Sequence, residues 1–380
     1  MLFSHLKKKS HAESQTTYLK EYENFVVGND LFALTFFKDL IKLEPSSNLC
    51  LEESLELENL IPNGPSVLRG NENIEIVKNY FPDMISADFE FKSDVKFYKD
   101  SDFHSFGGRK KPEKVLDGEE FFTQKKLDLD VKDLLLTQEL KDFFEKQKND
   151  FITLKIQTIV RQADFWEVVF VNGNKIKCHK LIWGKQPFLL LSLLSNKQDF
   201  LQPFIDFCQS TKRPFGFIVN FSVKSDMAIT ESTDTIFIPK SLTYDLGHFI
   251  GEFKPFNAFT QTQEFSFFSF LAEEDSDVEA VGRQIHQLKR SLFKIFPKLV
   301  NKKLEESIIV SDQKSSYFHG SDQFFQKSEL KDFKNIRFIG CDAPLLPKFL
   351  QHKKIDLDSN KISFLGRSVL ANQQFFDVTE

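Results

Sequence analysis

Residues Glu21–Leu60 read EYENFVVGND LFALTFFKDL IKLEPSSNLC LEESLELENL, and the order of apolar and breaking residues in them decides the fold. Phe25-Val26-Val27 is a short apolar run of strand type, punctuated by Gly28. From Leu31 to Ile41 the apolar residues recur at helical spacing. Pro45 and two serines stop that helix, and Leu49-Cys50-Leu51 forms a second apolar run ending in Glu52. The pattern predicts a β-α-β unit with an acid 24 positions beyond the turn glycine. In a dinucleotide-binding unit an acid near this distance accepts hydrogen bonds from the ribose hydroxyls.

The glycine fingerprint of such a unit, G-x-G-x-x-G/A, falls on Gly28, Asp30 and Ala33. Gly28 makes the tight turn, and Ala33 lets helix and strand pack closely. The second position normally lets the backbone approach a pyrophosphate, and here it carries a carboxylate. A carboxylate about 4 Å from a phosphate charge costs roughly 4 kcal/mol at an effective dielectric near 20. Either Asp30 turns away, or the phosphate lies elsewhere, or no dinucleotide binds.

At 380 residues the chain suffices for one large domain or two ordinary ones, and 41% hydrophobic with 28% charged residues is the balance of a soluble globular protein. Forty-five phenylalanines against six tyrosines and two tryptophans read as Phe replacing Leu and Tyr in the core. Fifteen glycines are few for a protein built on phosphate-cradling loops. A formal net charge of −5 gives no reason to expect nucleic acid as a partner. Cys50, Cys178, Cys208 and Cys341 form no C-x-x-C pair, so neither a zinc site nor a disulfide framework is expected. Lys7-Lys8-Lys9 is followed by no apolar signal core, and the leucine-rich run 187–194 is too short to span a bilayer. The expected compartment is the cytoplasm.

Further along, 61–70 reads as a turn-rich connection and Asn73–Phe81 as a helix. Phe106-Gly107-Gly108-Arg109-Lys110-Lys111 suits a phosphate, but reads more readily as a solvated turn. Residues 127–148 carry a helical pattern. Ile152, Leu154 and Ile156 alternate as a half-buried strand does, Trp166–Val171 is a second strand, and Asn172-Gly173 is a two-residue hairpin signal. Lys175–His179 returns as a third strand, with Leu181–Gly184 a further apolar strand. Gly216–Val223, Thr235–Ile238 and Phe265–Leu271 read as strands of a second sheet. A capping box of Ser276 and Glu279 opens an amphipathic helix through Val278, Val281, Ile285, Leu288, Leu292 and Ile295, ending at Pro297. Asn335–Gly340 is a strand, followed by Asp342 and a helix near 366–376.

This order of elements resembles the flavin-containing amine oxidases, protoporphyrinogen oxidases and carotenoid or squalene desaturases. The likeness rests on Gly28 to Glu52 and on Gly64-Pro65-Ser66-Val67-Leu68-Arg69-Gly70 after the second strand. It extends to the meander Trp166–Trp183 with Pro187 behind it, the helix ending in Phe296-Pro297, and Ile336–Asp342 near the C-terminus. The family's glycine pair and arginine after the ribose-binding acid are missing, and Cys341 sets Asp342 one place late. The resemblance implies an α/β fold: a Rossmann-like FAD/NAD(P)-binding domain with a three-stranded β-meander, interleaved with a second α+β substrate domain. The FAD-binding parts would be 20–75, 151–190 and 335–380, and the substrate or cap parts 76–150 and 191–334. The implied cofactor is FAD, with contacts from Gly28, Asp30, Ala33, Glu52, Gly340 and Asp342. The strand before the meander would bring backbone near the adenine.

Two functions from different classes follow. One is an FAD-dependent oxidoreductase acting on an apolar or amine-bearing small molecule, in which the flavin takes a hydride and no catalytic base is assigned. The other is a cofactor-free descendant of the fold that serves as a binding or scaffold protein for a protein partner. NAD(H) in place of FAD is a third reading, opposed by the meander and the C-terminal motif. His179, His248, His319, Cys208 and Trp183 read as structural residues, because nothing pairs them in the sequence. The acids 273–277 precede a helix start and need no metal.

Overall fold

The structure is a computed structural model that describes residues 20–52, 56–61, 67–81, 94–105, 126–130, 134–211, 215–244, 246–271, 277–310, 335–355 and 364–377. The opening unit forms as its pattern predicts. Strand β1 (Lys20–Gly28) enters helix α1 (Leu31–Leu43), and β2 (Ser47–Leu51) returns parallel to β1 with Gly28 opposite Leu51. Next come β3 (Val67–Arg69), α2 (Asn71–Tyr80), β4 (Val95–Lys99), β5 (Asp102–Ser105), β6 (Lys126–Asp130) and α3 (Gln138–Gln147). Residues 67–69 and 126–130 pair as a two-stranded ribbon, β3 with β6. That corrects the turn reading of 61–70 at 67–69, with 62–66 outside the described residues, and the helical reading at 127–130. The Phe106–Lys111 stretch lies outside the described residues.

The meander is β7 (Ile156–Arg161), β8 (Trp166–Phe170) and β9 (Lys175–Trp183). Two expectations change here. Ile152 lies ahead of β7 and bridges to Cys50 instead. The two strands expected between 175 and 184 are one, running unbroken through His179 and Lys180. The first half of β9 pairs antiparallel with β8, and its second half pairs parallel with β15 (Ile336–Phe338). Along its other edge it is parallel to β1. At the hairpin only Gly173 has positive φ, at 83°, while Asn172 uses its side chain to accept the Asn174 amide at 3.1 Å. The first sheet therefore runs β2-β1-β9-β8-β7, with β15 beside the end of β9. Its core includes Phe25, Val27, Leu34, Phe36, Leu181 and Trp183.

After α4 (Pro187–Leu193) and α5 (Gln202–Ser210), the second sheet is built from β10 (Phe215–Lys224), β11 (Thr235–Ile238), β12 (Phe249–Phe253), β13 (Thr262–Leu271) and β14 (Leu304–Val310). With β4 and β5 its order is β14-β10-β13-β12-β11-β4-β5. Helix α6 (Val278–Ile295) buries Leu288 and Leu292 against Val219, Phe221 and Phe267 on one face. On the opposite face, Phe97, Ile218, Phe237, Ile250 and Phe268 form a second apolar layer. The N-cap of α6 is Asp277, whose Oδ1 accepts the Ala280 amide at 2.7 Å, and Glu279 pairs with Arg283. Ser276 of the expected capping box lies outside the described residues, and Val278 is exposed. The chain closes through β15, α7 (Pro347–His352) and α8 (Phe364–Asp377). Among the described residues no helix is long and apolar enough to cross a membrane.

Candidate functional site

The four parallel strands β2, β1, β9 and β15 end level with one another. Gly28 stands opposite Leu51, Val27 opposite Trp183, and Phe338 opposite Trp183. In open α/β sheets the carboxyl edge, where the chain leaves on alternate sides, is where ligands bind. Gly28, Asp30, Ala33, Glu52, Gly340 and Asp342, scattered over more than three hundred positions, all come to this edge.

Gly28 is required by packing. A Cβ placed there would lie 2.2 Å from the Cβ of Ala33, so the pair lets strand and helix meet at their closest point. Its backbone does not have positive φ. Gly184 continues this close seam, donating its amide to the Val27 carbonyl at 2.7 Å. Gly340 has φ of 82° and turns the chain out of β15.

Asp30 does not turn away from the helix. It is the N-cap of α1, with extended backbone, and its Oδ1 accepts the Ala33 amide at 2.9 Å. An N-cap carboxylate satisfies one of the unpaired amides of the first turn and lies along the favourable end of the helix dipole. Those are the interactions that a bound phosphate takes at a helix N-terminus. The carboxylate thus stands where an anionic ligand would.

Glu52, the expected ribose acid, is held from two sides. Its Oε1 accepts the Ile156 amide at 2.7 Å, and its Oε2 receives the Lys185 ammonium. The side chains are 11% and 7% exposed respectively, so the pair is shielded from water. Ile156 opens the meander, where the resemblance places backbone near an adenine. Lys185 follows Gly184 at the end of β9. Sequence reading missed both partners. A lysine just behind an apolar strand was the available signal, but its partner is 133 positions away.

Asp342 is buried behind β15. Arg367 of α8, also buried and also missed in the sequence, donates its Nε–H to the Cys341 carbonyl at 2.8 Å, bringing a guanidinium beside this turn. The four cysteines are buried and form no disulfide. Burial pushes the thiols of Cys50, Cys178 and Cys208 well up. Trp183 is buried and donates its indole N–H to the Gln186 carbonyl at 3.1 Å, in keeping with a structural role. His179 pairs with Glu21 at 3.0 Å, and His248 accepts the Lys240 amide at 3.3 Å. Among the described residues no group of His, Cys, Asp and Glu could hold a metal ion.

These residues do not fit the ADP half of a dinucleotide. Each oxygen of Glu52 already has a partner from the chain itself, and the Asp30 carboxylate caps α1, the helix at which the resemblance would place a phosphate.

The architecture is that of the FAD-binding, amine-oxidase-like α/β fold. Solved structures with this architecture include a redesigned putrescine oxidase, 10% identical with a TM-score of 0.57, covering 95% of this chain and 99% of that one. They also include a fatty acid isomerase from P. acnes, 8% identical with a TM-score of 0.55 over 94% and 98% of the two chains. An oxidoreductase from Methanosarcina mazei is 10% identical, with a TM-score of 0.52 over 94% and 100%. At these identities the likeness is one of fold. No protein-family model matches the chain, and no curated protein matches it by sequence.

Proposed function

We propose that this chain is a cofactor-independent binding protein built on the FAD-oxidoreductase fold. The observation that carries the reading is Glu52, neutralised by Lys185 and hydrogen-bonded by the Ile156 amide. A ribose diol would have to share these two oxygens with the amide and the ammonium, and wherever it displaced Lys185 it would leave a buried ammonium behind. Leaving one member of a buried pair uncompensated costs about 3–5 kcal/mol, a few-thousandfold in affinity at the upper end. Asp30 adds a like charge to any phosphate brought to α1. The chain has filled the ADP edge with its own side chains, and its work then lies in binding. Four buried cysteines outside any disulfide accord with a reducing, cytoplasmic setting.

A visible absorption spectrum of the protein purified without added cofactor, followed by titration with FAD, tests this. A colourless protein that leaves FAD fluorescence unquenched is expected. A flavin spectrum in the purified protein, or saturable micromolar binding, overturns the reading.

The second reading is an FAD-dependent oxidoreductase for an apolar or amine-bearing small molecule. The preserved Gly28–Ala33 contact favours it. It requires that Glu52 take the ribose hydroxyls on its remaining acceptor sites or release Lys185 when flavin enters, and it predicts tight FAD binding by the wild-type chain.

A further inference from the structure

At one end of the second sheet, β10 and β12 finish while β13 and β14 begin, so Lys224, Lys254, Thr262 and Lys303 border a single surface. Three loops meet there. The 254–261 hairpin is tied to the 225–228 loop by the Ser225 amide on the Gln261 carbonyl, at 2.9 Å. The 297–303 turn is tied to the same loop by Lys298 on the Ala228 carbonyl, at 2.9 Å, and by Lys302 on Asp226, at 3.4 Å. Each loop puts an apolar side chain into water. Phe259 is 98% exposed, Met227 54% and Val300 49%.

Phe259 is presented by a built turn. The Asn257 side chain accepts the amides of Phe259 at 3.0 Å and Thr260 at 3.1 Å, and Asn257 and Thr262 exchange backbone hydrogen bonds. Little conformational entropy remains for that backbone to lose on docking. These loops also carry Lys224, Lys254, Lys298, Lys302 and Lys303 at their ends and tips; Asp226 pairs with Lys302 at 3.4 Å, Glu264 of β13 pairs with Lys254 at 3.2 Å, and Glu305 follows Lys303 on β14, which leaves the lysines in excess. Glu231 and Asp234 lie further along, toward β4, where Lys96 takes Asp234 at 2.6 Å. On a chain with a net charge of −5 this is a local reversal of sign.

We infer that this end of the sheet docks on an anionic phospholipid surface. Phe259, Met227 and Val300 enter the boundary between headgroups and acyl chains, while the lysines lie among the phosphates. Apolar side chains separated by lysines are what an interfacial element needs. A fluid interface accepts them at any spacing. A protein partner would instead have to offer a matching pocket for each, within an interface of about 1,000 Å² or more. The inference stands apart from the cofactor site and holds for either reading of it.

The test is sedimentation of the full chain with phosphatidylcholine vesicles, with and without phosphatidylglycerol, at low and high salt. Binding is expected only to the anionic vesicles and to weaken with salt. Phe259→Asp should lower the partition coefficient about tenfold. Lys224→Gln and Lys303→Gln should each lower it about fivefold. Phe259→Trp supplies a second readout, because native Trp166 and Trp183 are buried, so a blue shift of emission on anionic vesicles reports insertion at position 259. Failure of the wild type to sediment, equal binding to neutral vesicles, or Phe259→Asp binding as the wild type does would each overturn the inference. So would retention by an acidic protein without any vesicle binding.

Discussion

Lys185 fixes the state of Glu52 at the carboxyl edge of the first sheet through a single contact. Lys185→Met leaves the Glu52 carboxylate shielded with only the Ile156 amide as partner, which should lower unfolding free energy by about 3–5 kcal/mol. Adding Glu52→Gln removes the stranded charge and keeps an acceptor for that amide, so the double variant should recover most of the loss. Urea denaturation of the wild type, both singles and the double closes this cycle, and a double variant as unstable as Lys185→Met would show that the ion pair is not the origin. Asp30 acts on a smaller scale. Asp30→Ala should destabilise by about 1 kcal/mol through loss of the N-cap, and Asp30→Gly by only a few tenths. Asp30→Gly alone should not bring FAD binding, since Glu52 stays engaged; titration of that variant with FAD checks this.

For elements, the contact between β1 and α1 is the tightest constraint at the edge. Gly28→Ala forces two methyl groups to within 2.2 Å, and the resulting overpacking should cost about 1–3 kcal/mol. Ala33→Gly in the same chain should return part of it, measured as a shift in thermal midpoint; no rescue would place the strain elsewhere. The β1-α1-β2 unit was legible because strand, glycine, helical spacing and break follow in one local sequence. β9 was not legible as one strand, because His179 and Lys180 look like the end of an element. Their partners are on β1: Glu21 takes Lys177 at 2.9 Å and His179 at 3.0 Å, and Glu23 takes Lys180 at 3.5 Å. Cross-strand charge pairs of this kind cannot be seen along one strand. β12 escaped for a related reason. Its Gly251 reads as a breaker, yet a Cβ there would lie 2.3 Å from the Phe267 ring, so the glycine admits a neighbouring aromatic.

Across the molecule, Asp234 joins segments 140 positions apart by accepting the Asp94 amide at 2.7 Å at the β4–β11 junction. Burial raises its pKa, but the Lys96 ammonium, the Ser232 hydroxyl and the Asp94 amide outweigh burial and hold the carboxyl below its usual range. A carboxyl lowered in the folded state stabilises above its unfolded pKa and loses that contribution as pH falls through the lowered value. Stability should therefore decline on acidification from about pH 4, the ordinary Asp value. Asp234→Asn should be less stable at neutral pH and show a shallower acid dependence in denaturant midpoints. The thiols report the same cooperativity: with four buried cysteines, labelling by a thiol reagent should be slow in the native protein and accelerate only at the global unfolding transition.

Local pattern by itself determined the opening β-α-β unit, the meander, the amphipathic α6 and the order of elements that gives the fold, because periodicity and turn residues act over a few positions. It also put Gly28, Asp30, Ala33, Glu52, Gly340 and Asp342 forward as the edge of a dinucleotide site. The tertiary structure alone decided what fills that edge. Lys185 reaches Glu52 only once β9 lies beside β1, across it from β2, and the Ile156 amide arrives only when the meander folds back. An ion pair made across 133 positions leaves no trace in local spacing, yet a buried charge must find its partner, and here the partner is the chain itself.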